Sequence, residues 1–347
     1  MAYGVSFTIH HSPFTINKMA LFSDINDLKT HIGGAYTAFV KLASVAPFFE
    51  DAVNDHILPR IDSQTVDLLR GADLVGKRAI AAGIFKSSVA WFGVNDYMAF
   101  GGVVMTENGL MRIETDTYKT AFKYQDARYE SRAIVKAWSN FDLLLKILFE
   151  NPTDFPDYAA SDEAALNLSH FLNFTHDFRV AGTPVPDRYT LESLFPYISD
   201  IETFMVVPFL GETLHNSLLS KLYSNSETDL AKKQAEMSLV KLLRQGIAGM
   251  TYHLATIGNV IEFKGSRVLV RETSRDDAFD RTKTPSFDLL TANYNQKRDF
   301  ANRYFQRAEM FIRDNAAYFP EWVGFTEGVD VNVLTDAEKM NVRLKML

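Results

Sequence analysis

The sequence predicts a mainly α protein: two tandem copies of a helical bundle with an inserted β-hairpin, plus extended N- and C-terminal arms. Three observations predict it: apolar residues at helical spacing through both halves, Pro-Phe and Phe-Pro elements recurring in the same order, and a short apolar-turn-apolar segment in each half. Pro47-Phe48-Phe49, followed by Asp51, Val53, Ile57 and Leu58, matches Pro208-Phe209-Leu210, followed by Glu212, Leu214, Leu218 and Leu219, at an offset of 161. Residues 104–109 match 260–265 at an offset of 156, each ending on a turn glycine, Gly109 or Gly265. Asn151, Phe155, Pro156, Asp157 and Tyr158 match Asn315, Phe319, Pro320, Glu321 and Trp322 at 164. Such an ordered set points to one unit copied and fused. The expected layout is an arm at 1–20, unit A at 21–160, unit B at 161–323 and an arm at 324–347, each unit being large enough to bury its own core.

Each unit is expected to open with a helix, carrying Ile25, Leu28 and Ile32 in the first copy and Leu191, Leu194 and Ile198 in the second. Pro47 and Pro208 then start or kink the next helix, because a first-turn proline loses no hydrogen bond. Long helices follow over 73–97 and 229–256, where Ala79, Ile80, Gly83, Ile84 and Ala90 offer surfaces for close packing. After the hairpin, last helices over 126–150 and 295–315 carry Ile134, Trp138, Phe141, Leu145 and Leu148, and Phe300, Tyr304, Phe305, Phe311 and Ile312. They stop at the Asn-x3-Phe-Pro element, since proline disfavours the α region for the residue before it.

The arms read differently. Val5, Phe7 and Ile9 alternate with polar residues, a turn follows at 11–13, and Phe14 and Ile16 come next. Val329, Val331 and Val333 alternate with Asp330 and Asn332 before a capping-box pattern at 335–338. These residues are candidate assembly strands that pair with the chain's own hairpins or with a neighbouring subunit.

Composition narrows the chemistry. With 36 Lys+Arg against 43 Asp+Glu, the net charge of −7 argues against broad binding to a phosphate backbone. There is no cysteine, which excludes disulfides, thiolate metal sites, iron–sulfur clusters and cysteine nucleophiles, and is consistent with folding inside a cell. No apolar run approaches the roughly 18 residues of a membrane span, and the N-terminus has no secretory signal pattern, so residue 1 is expected to persist.

Dinucleotide, phosphate-loop, zinc-protease, nucleophile-elbow and EF-hand motifs are all missing, so no catalytic, cofactor-binding or metal residue is assigned. His170, His176 and Asp177 beside Asp162 and Glu163 are the residues nearest to a metal set. His-x5-His lacks the spacing that shares a helix face, and the segment reads as a solvated linker. His56 and His215 read as surface or cap residues, Glu50-Asp51 and Asp276-Asp277 as solvated charge. Lys264, Arg267, Arg271, Arg275, Arg281 and Lys283 form a local basic bias interrupted by Asp276, Asp277 and Asp280.

The hairpin with Glu107-Asn108-Gly109-Leu110, the Tyr-Gln-Asp-Ala-Arg at 124–128, and the Phe-Glu-Asn…Phe-Pro-Asp-Tyr ending at 149–158 resemble a family of uncharacterised proteins from tailed phages and prophages of Bacteroidetes-type bacteria. That family is similar to the helical adaptor proteins of the head–tail junction. The resemblance covers both units but not the arms, and transfers no catalytic residue. It implies a structural virion protein assembled in the host cytoplasm: a homo-oligomeric connector ring in the neck, meeting portal and tail proteins, with DNA passing without sequence-specific binding. A component of a phage-derived contractile injection machine, or an enzyme with its site between the two units, are the alternatives.

Overall fold

The computed structural model describes residues 21–32, 41–101, 103–106, 109–112, 123–182, 185–222, 228–257, 261–264, 267–270 and 287–322. Both arms, with Val5, Phe7, Ile9, Phe14, Ile16, Val329, Val331 and Val333, lie outside these residues.

The chain is mainly α. In its first half, α1 (Ile25–Ile32), α2 (Leu42–Ala52), α3 (Ser63–Arg70) and the long α4 (Gly76–Gly101) lead to strands β1 (Val103–Thr106) and β2 (Gly109–Arg112), then to α5 (Lys123–Glu150). Short helices α6 (Pro156–Ala159) and α7 (Asp162–Asn167) lead on to the second half. There α8 (Thr175–Val180), α9 (Arg188–Ile201), α10 (Val207–Leu210), α11 (Glu212–Lys221) and α12 (Leu230–Ile257) precede β3 (Ile261–Lys264), β4 (Arg267–Val270) and α13 (Phe287–Asp314). Each strand pair is antiparallel, Thr106 opposing Gly109 and Lys264 opposing Arg267. In each half the long helix packs along the helix that follows the strands.

Helix order aligns the halves more sharply than the Pro-Phe pairs do. Pro47 lies inside α2, six residues before a π turn at Val53–Ile57, in which the Leu58 amide donates to the Val53 carbonyl at 2.9 Å. Pro196 lies inside α9, six residues before a π turn at Glu202–Val206. The structural partner of Pro47 is therefore Pro196, at an offset of 149, and α9 pairs with α2 rather than with α1. Pro208 instead sits in the first turn of α10, where its missing amide costs nothing. Of the two expectations for Pro47, a helix start or a kink, the start is corrected: a proline inside a helix removes one ladder bond and is tolerated beside a π turn that already re-registers the ladder.

Buried positions follow that alignment. Val45, Phe49, Ala52, Ile57, Ile61 and Leu69 correspond to Leu194, Ile198, Ile201, Val206, Leu210 and Leu218, and all twelve are buried. Through the long helices and the strands the offset becomes 158, which sets Phe85 and Val89 against Leu243 and Ile247 and β1 against β3. From α5 to α13 it is 164, and the Asn-x3-Phe element repeats closely. Asn151 Nδ2 donates to the Ile147 carbonyl at 2.7 Å and Asn315 Nδ2 to the Phe311 carbonyl at 2.9 Å. Phe155 and Phe319 are both buried, with φ and ψ of −129° and 63°, and −125° and 56°. The offset grows because unit B carries longer connections before its long helix and after its strands.

Two cores result. The first runs from Leu21 through Phe85, Phe92 and Phe141 to Phe155 and takes in Ala164 and Phe174; the second runs from Phe171 through Leu194 and Leu243 to Phe319. Phe49 rather than Phe48 is the buried aromatic of α2, and Ile80 is exposed instead of packed, because it lies on the solvent side of α4. Pro156 and Pro320 are exposed beside their buried phenylalanines.

Candidate functional site

Charged groups converge where the two halves meet. The central one is Arg188, the first residue of α9, whose side chain is 0% exposed. Asp187 caps the helix by accepting from the Thr190 amide at 2.8 Å, which fixes the start of α9 and with it the position of Arg188. Its Nη1 donates to the Asn173 carbonyl at 2.6 Å, Nη2 to Asn167 Oδ1 at 2.5 Å and Nε to Glu192 Oε1 at 2.9 Å. Asp142, on α5 of the first half, stands 3.7 Å from Nη1 as a counter-charge.

Asp142 reaches across in a second way. Its Oδ2 accepts from both the amide (3.1 Å) and the hydroxyl (2.6 Å) of Thr175, capping α8 from the other half. Glu192 is shared: Arg60, which follows the first π turn, donates to it through Nε and Nη2, the latter at 2.6 Å. Arg60 also lies over the Trp138 ring at 4.9 Å, and the Tyr189 ring lies 5.7 Å from Trp138. Asn167 Nδ2 donates to the Arg60 carbonyl at 3.1 Å, which ties α7 to the same knot.

Burial and charge act on these acids in opposite directions. Burial pushes the Asp142 carboxyl up against the opposing pull of Arg188 and Thr175. Asp177 is likewise raised by burial, although Arg244 sits 2.8 Å away and the Asn173 and Phe174 amides donate to it. Burial also opposes ionisation of Glu192, but the hydrogen bond from Arg60 and the charges of Arg188 and Arg60 outweigh it and hold the carboxyl below its usual range.

Several expectations change here. Residues 162–177 are not a solvated linker: α7 and α8 are helical, His170 Nδ1 pairs with Glu202 Oε2 at 2.8 Å, and Asp177 is buried. Among the described residues no group of three or more His, Asp or Glu is arranged to hold a metal ion. His215 is buried within α11 and His56 stacks on Phe92 at 4.2 Å, so neither is a plain surface residue. Glu50 accepts two hydrogen bonds from Arg70, both at 2.9 Å. Of the basic stretch, Arg271, Arg275, Arg281 and Lys283 lie outside the described residues. Sequence reasoning missed Arg188, Asp142 and Glu192. The Asp-Arg-x3-Glu run at 187–192 carries a cap and an i, i+4 pair, but their partner Asp142 is 46 residues upstream.

Fold and junction define a class of duplicated helical-bundle protein with its halves joined by one buried and one half-buried ion pair. A family model matches the chain twice, at residues 46–167 and 206–327, together well over half its length. The chain belongs to that family, described as a family of unknown function, DUF6712. The two matches start 160 residues apart, within one residue of the Pro47 and Pro208 spacing, whereas the helix order and buried positions pair Pro47 with Pro196. The latter pairing carries the packing. No curated protein matches the chain, and no solved structure does.

Proposed function

We propose that the protein is architectural: a structural virion protein of a tailed phage that forms a head–tail connector ring in the neck, between portal and tail proteins. One observation carries this most. Most of the charged groups converging between the halves face one another, with Arg188 enclosed by Asn167, Asn173, Asp142 and Glu192, although Asp142 Oδ1, 3.7 Å from Nη1, is buried without a hydrogen-bond partner. Buried, mutually paired charges join two bodies rigidly, whereas an acid–base site needs a titratable group aimed at a space for substrate. The duplicated bundle and the resemblance to neck adaptors support the same role. A net charge of −7 also suits a passage that must not grip DNA. A ring needs one face of each subunit to meet a different face of the next, and the alternating arms 1–20 and 324–347 supply segments able to reach a neighbour.

Mass photometry of the purified full chain tests this. A discrete closed oligomer is the expected result; a compact monomer that turns over a small molecule would overturn the proposal in favour of an enzyme.

A further inference from the structure

The last helix of each unit presents the same side to different surroundings. On α5 that side meets the second half: Trp138 lies 5.7 Å from the Tyr189 ring, Asp142 accepts from Thr175, and Phe149 lies 5.5 Å from the Phe174 ring. Their equivalents on α13 are Asn302, Gln306 and Arg313, of which the first is half-buried and the other two are exposed. This side of α13 faces solvent where the same side of α5 faces the junction.

Arg303 and Arg307, one turn apart, are exposed beside these residues. Arg303 Nε donates to the Asp299 carbonyl at 3.3 Å, and Arg307 lies 5.6 Å from the Tyr304 ring. Among the described residues neither has a carboxylate partner: the nearest acids along the helix, Asp299 and Glu309, face Arg298 and Arg313.

Unit A carries the opposite charge. Asp51 of α2 and Asp55 of the first π turn are exposed, and Asp96 of α4 is half-buried. Burial pushes the Asp96 carboxyl up, and Asp55 and Asp51 add to the rise against the opposing pull of Asn95 and His56. The three acids therefore crowd one another, and among the described residues no lysine or arginine pairs with any of them.

Descent from one unit makes this distribution informative. Asp200 keeps the charge of Asp51, but unit B has Phe204 in place of Asp55 and Leu254 in place of Asp96. Unit A in turn has Ser139 and Leu143 in place of Arg303 and Arg307. The acidic set belongs to unit A and the arginine pair to unit B, so the two complement each other only across unlike units. Within one chain they form no ion pair with each other, whereas a ring requires contact between different faces of successive copies.

We infer that Arg303 and Arg307 on α13 of one copy dock on the Asp51, Asp55 and Asp96 face of unit A in a second copy of this chain. This deepens the ring proposal by naming the two faces of its subunit contact, and it rests on that proposal. Opposite charge sets the register of the contact and suppresses pairing of like faces.

Mass photometry of the full chain reads the contact, with circular dichroism melts to show that each variant is folded. Reversing one face alone, in an Arg303→Glu, Arg307→Glu variant or in an Asp51→Lys, Asp55→Lys variant, should lower the oligomer fraction by about tenfold or more, because like charges then meet across the interface. Where a reversal does not fold, Arg303→Gln, Arg307→Gln or Asp51→Asn, Asp55→Asn should give a smaller loss in the same direction. Reversing both faces in one chain should restore the oligomer. Oligomers that persist in both single-face variants would overturn the contact and leave the ring standing, as would a loss that the doubly reversed chain does not repair. An Arg303→Glu, Arg307→Glu variant that keeps its oligomer but loses binding to a DNA duplex would assign the arginines to nucleic acid and also overturn the contact. A parent chain that is monomeric at every concentration would remove both readings.

Discussion

Arg188 is the residue on which the junction turns, because it is fully enclosed and satisfies acceptors from three separate segments. Removing one member of a buried charge set strands the others, so Arg188→Met should cost about 3–5 kcal/mol in urea unfolding. A loss below about 1 kcal/mol would mean that the junction relaxes around the change. Glu192 makes a pH prediction. Its folded carboxyl lies below the usual range, so the stability it contributes is present above the ordinary glutamate range and is lost as pH falls through the lowered value. Glu192→Gln should therefore cost about 1–3 kcal/mol at neutral pH, with the gap from the parent closing in acid. Asp142 and Asp177 act with the opposite sign: their raised folded values make ionisation work against folding, so this contribution to stability rises as pH drops through them. A Glu192→Gln gap that is constant across pH would contradict the assignment of Glu192.

Among the elements, packing of α2 on α4 depends on one missing side chain. A Cβ at Gly93 would stand 2.4 Å from Cδ1 of Phe49, closer than carbon atoms approach. Gly93→Ala should destabilise unit A by about 1–3 kcal/mol, the scale of an overpacked core, whereas Gly83→Ala meets nothing within 4 Å and serves as control. The Asn-x3-Phe elements should respond more strongly: Phe155→Ala or Phe319→Ala should each cost about 3–5 kcal/mol, measured by thermal or urea unfolding. Much of this was legible in the sequence. The long helices declare themselves by apolar spacing, and the Phe-Pro stops by proline sterics. The opening register was not legible, because both Pro196 and Pro208 precede an aromatic residue and only the π turns show which of them matches Pro47. Nor was the junction, since Asp142 and Arg188 carry no local pattern that links them.

At the scale of the molecule, two bundles of one family follow each other and share a buried polar knot. The knot lies between the two buried cores and ties α5 and α7 to α9. Among the described residues no single helix is long and apolar enough to cross a membrane, and the bent pair 188–210 and 212–221, which passes on length and composition together, places Leu191, Leu194, Ile198 and Leu214 in the second core. Deleting residues 1–18 should leave helical content unchanged and lower the oligomer fraction in sizing experiments; an unaltered oligomer would exclude an assembly role for that arm. The most direct test of the proposed architectural role is electron microscopy of the purified chain and of any tailed-phage particles released by the cells that carry its gene. The expected images show closed rings in solution and the same ring at the junction of head and tail, whereas isolated monomers together with particles that lack the protein would contradict the assignment.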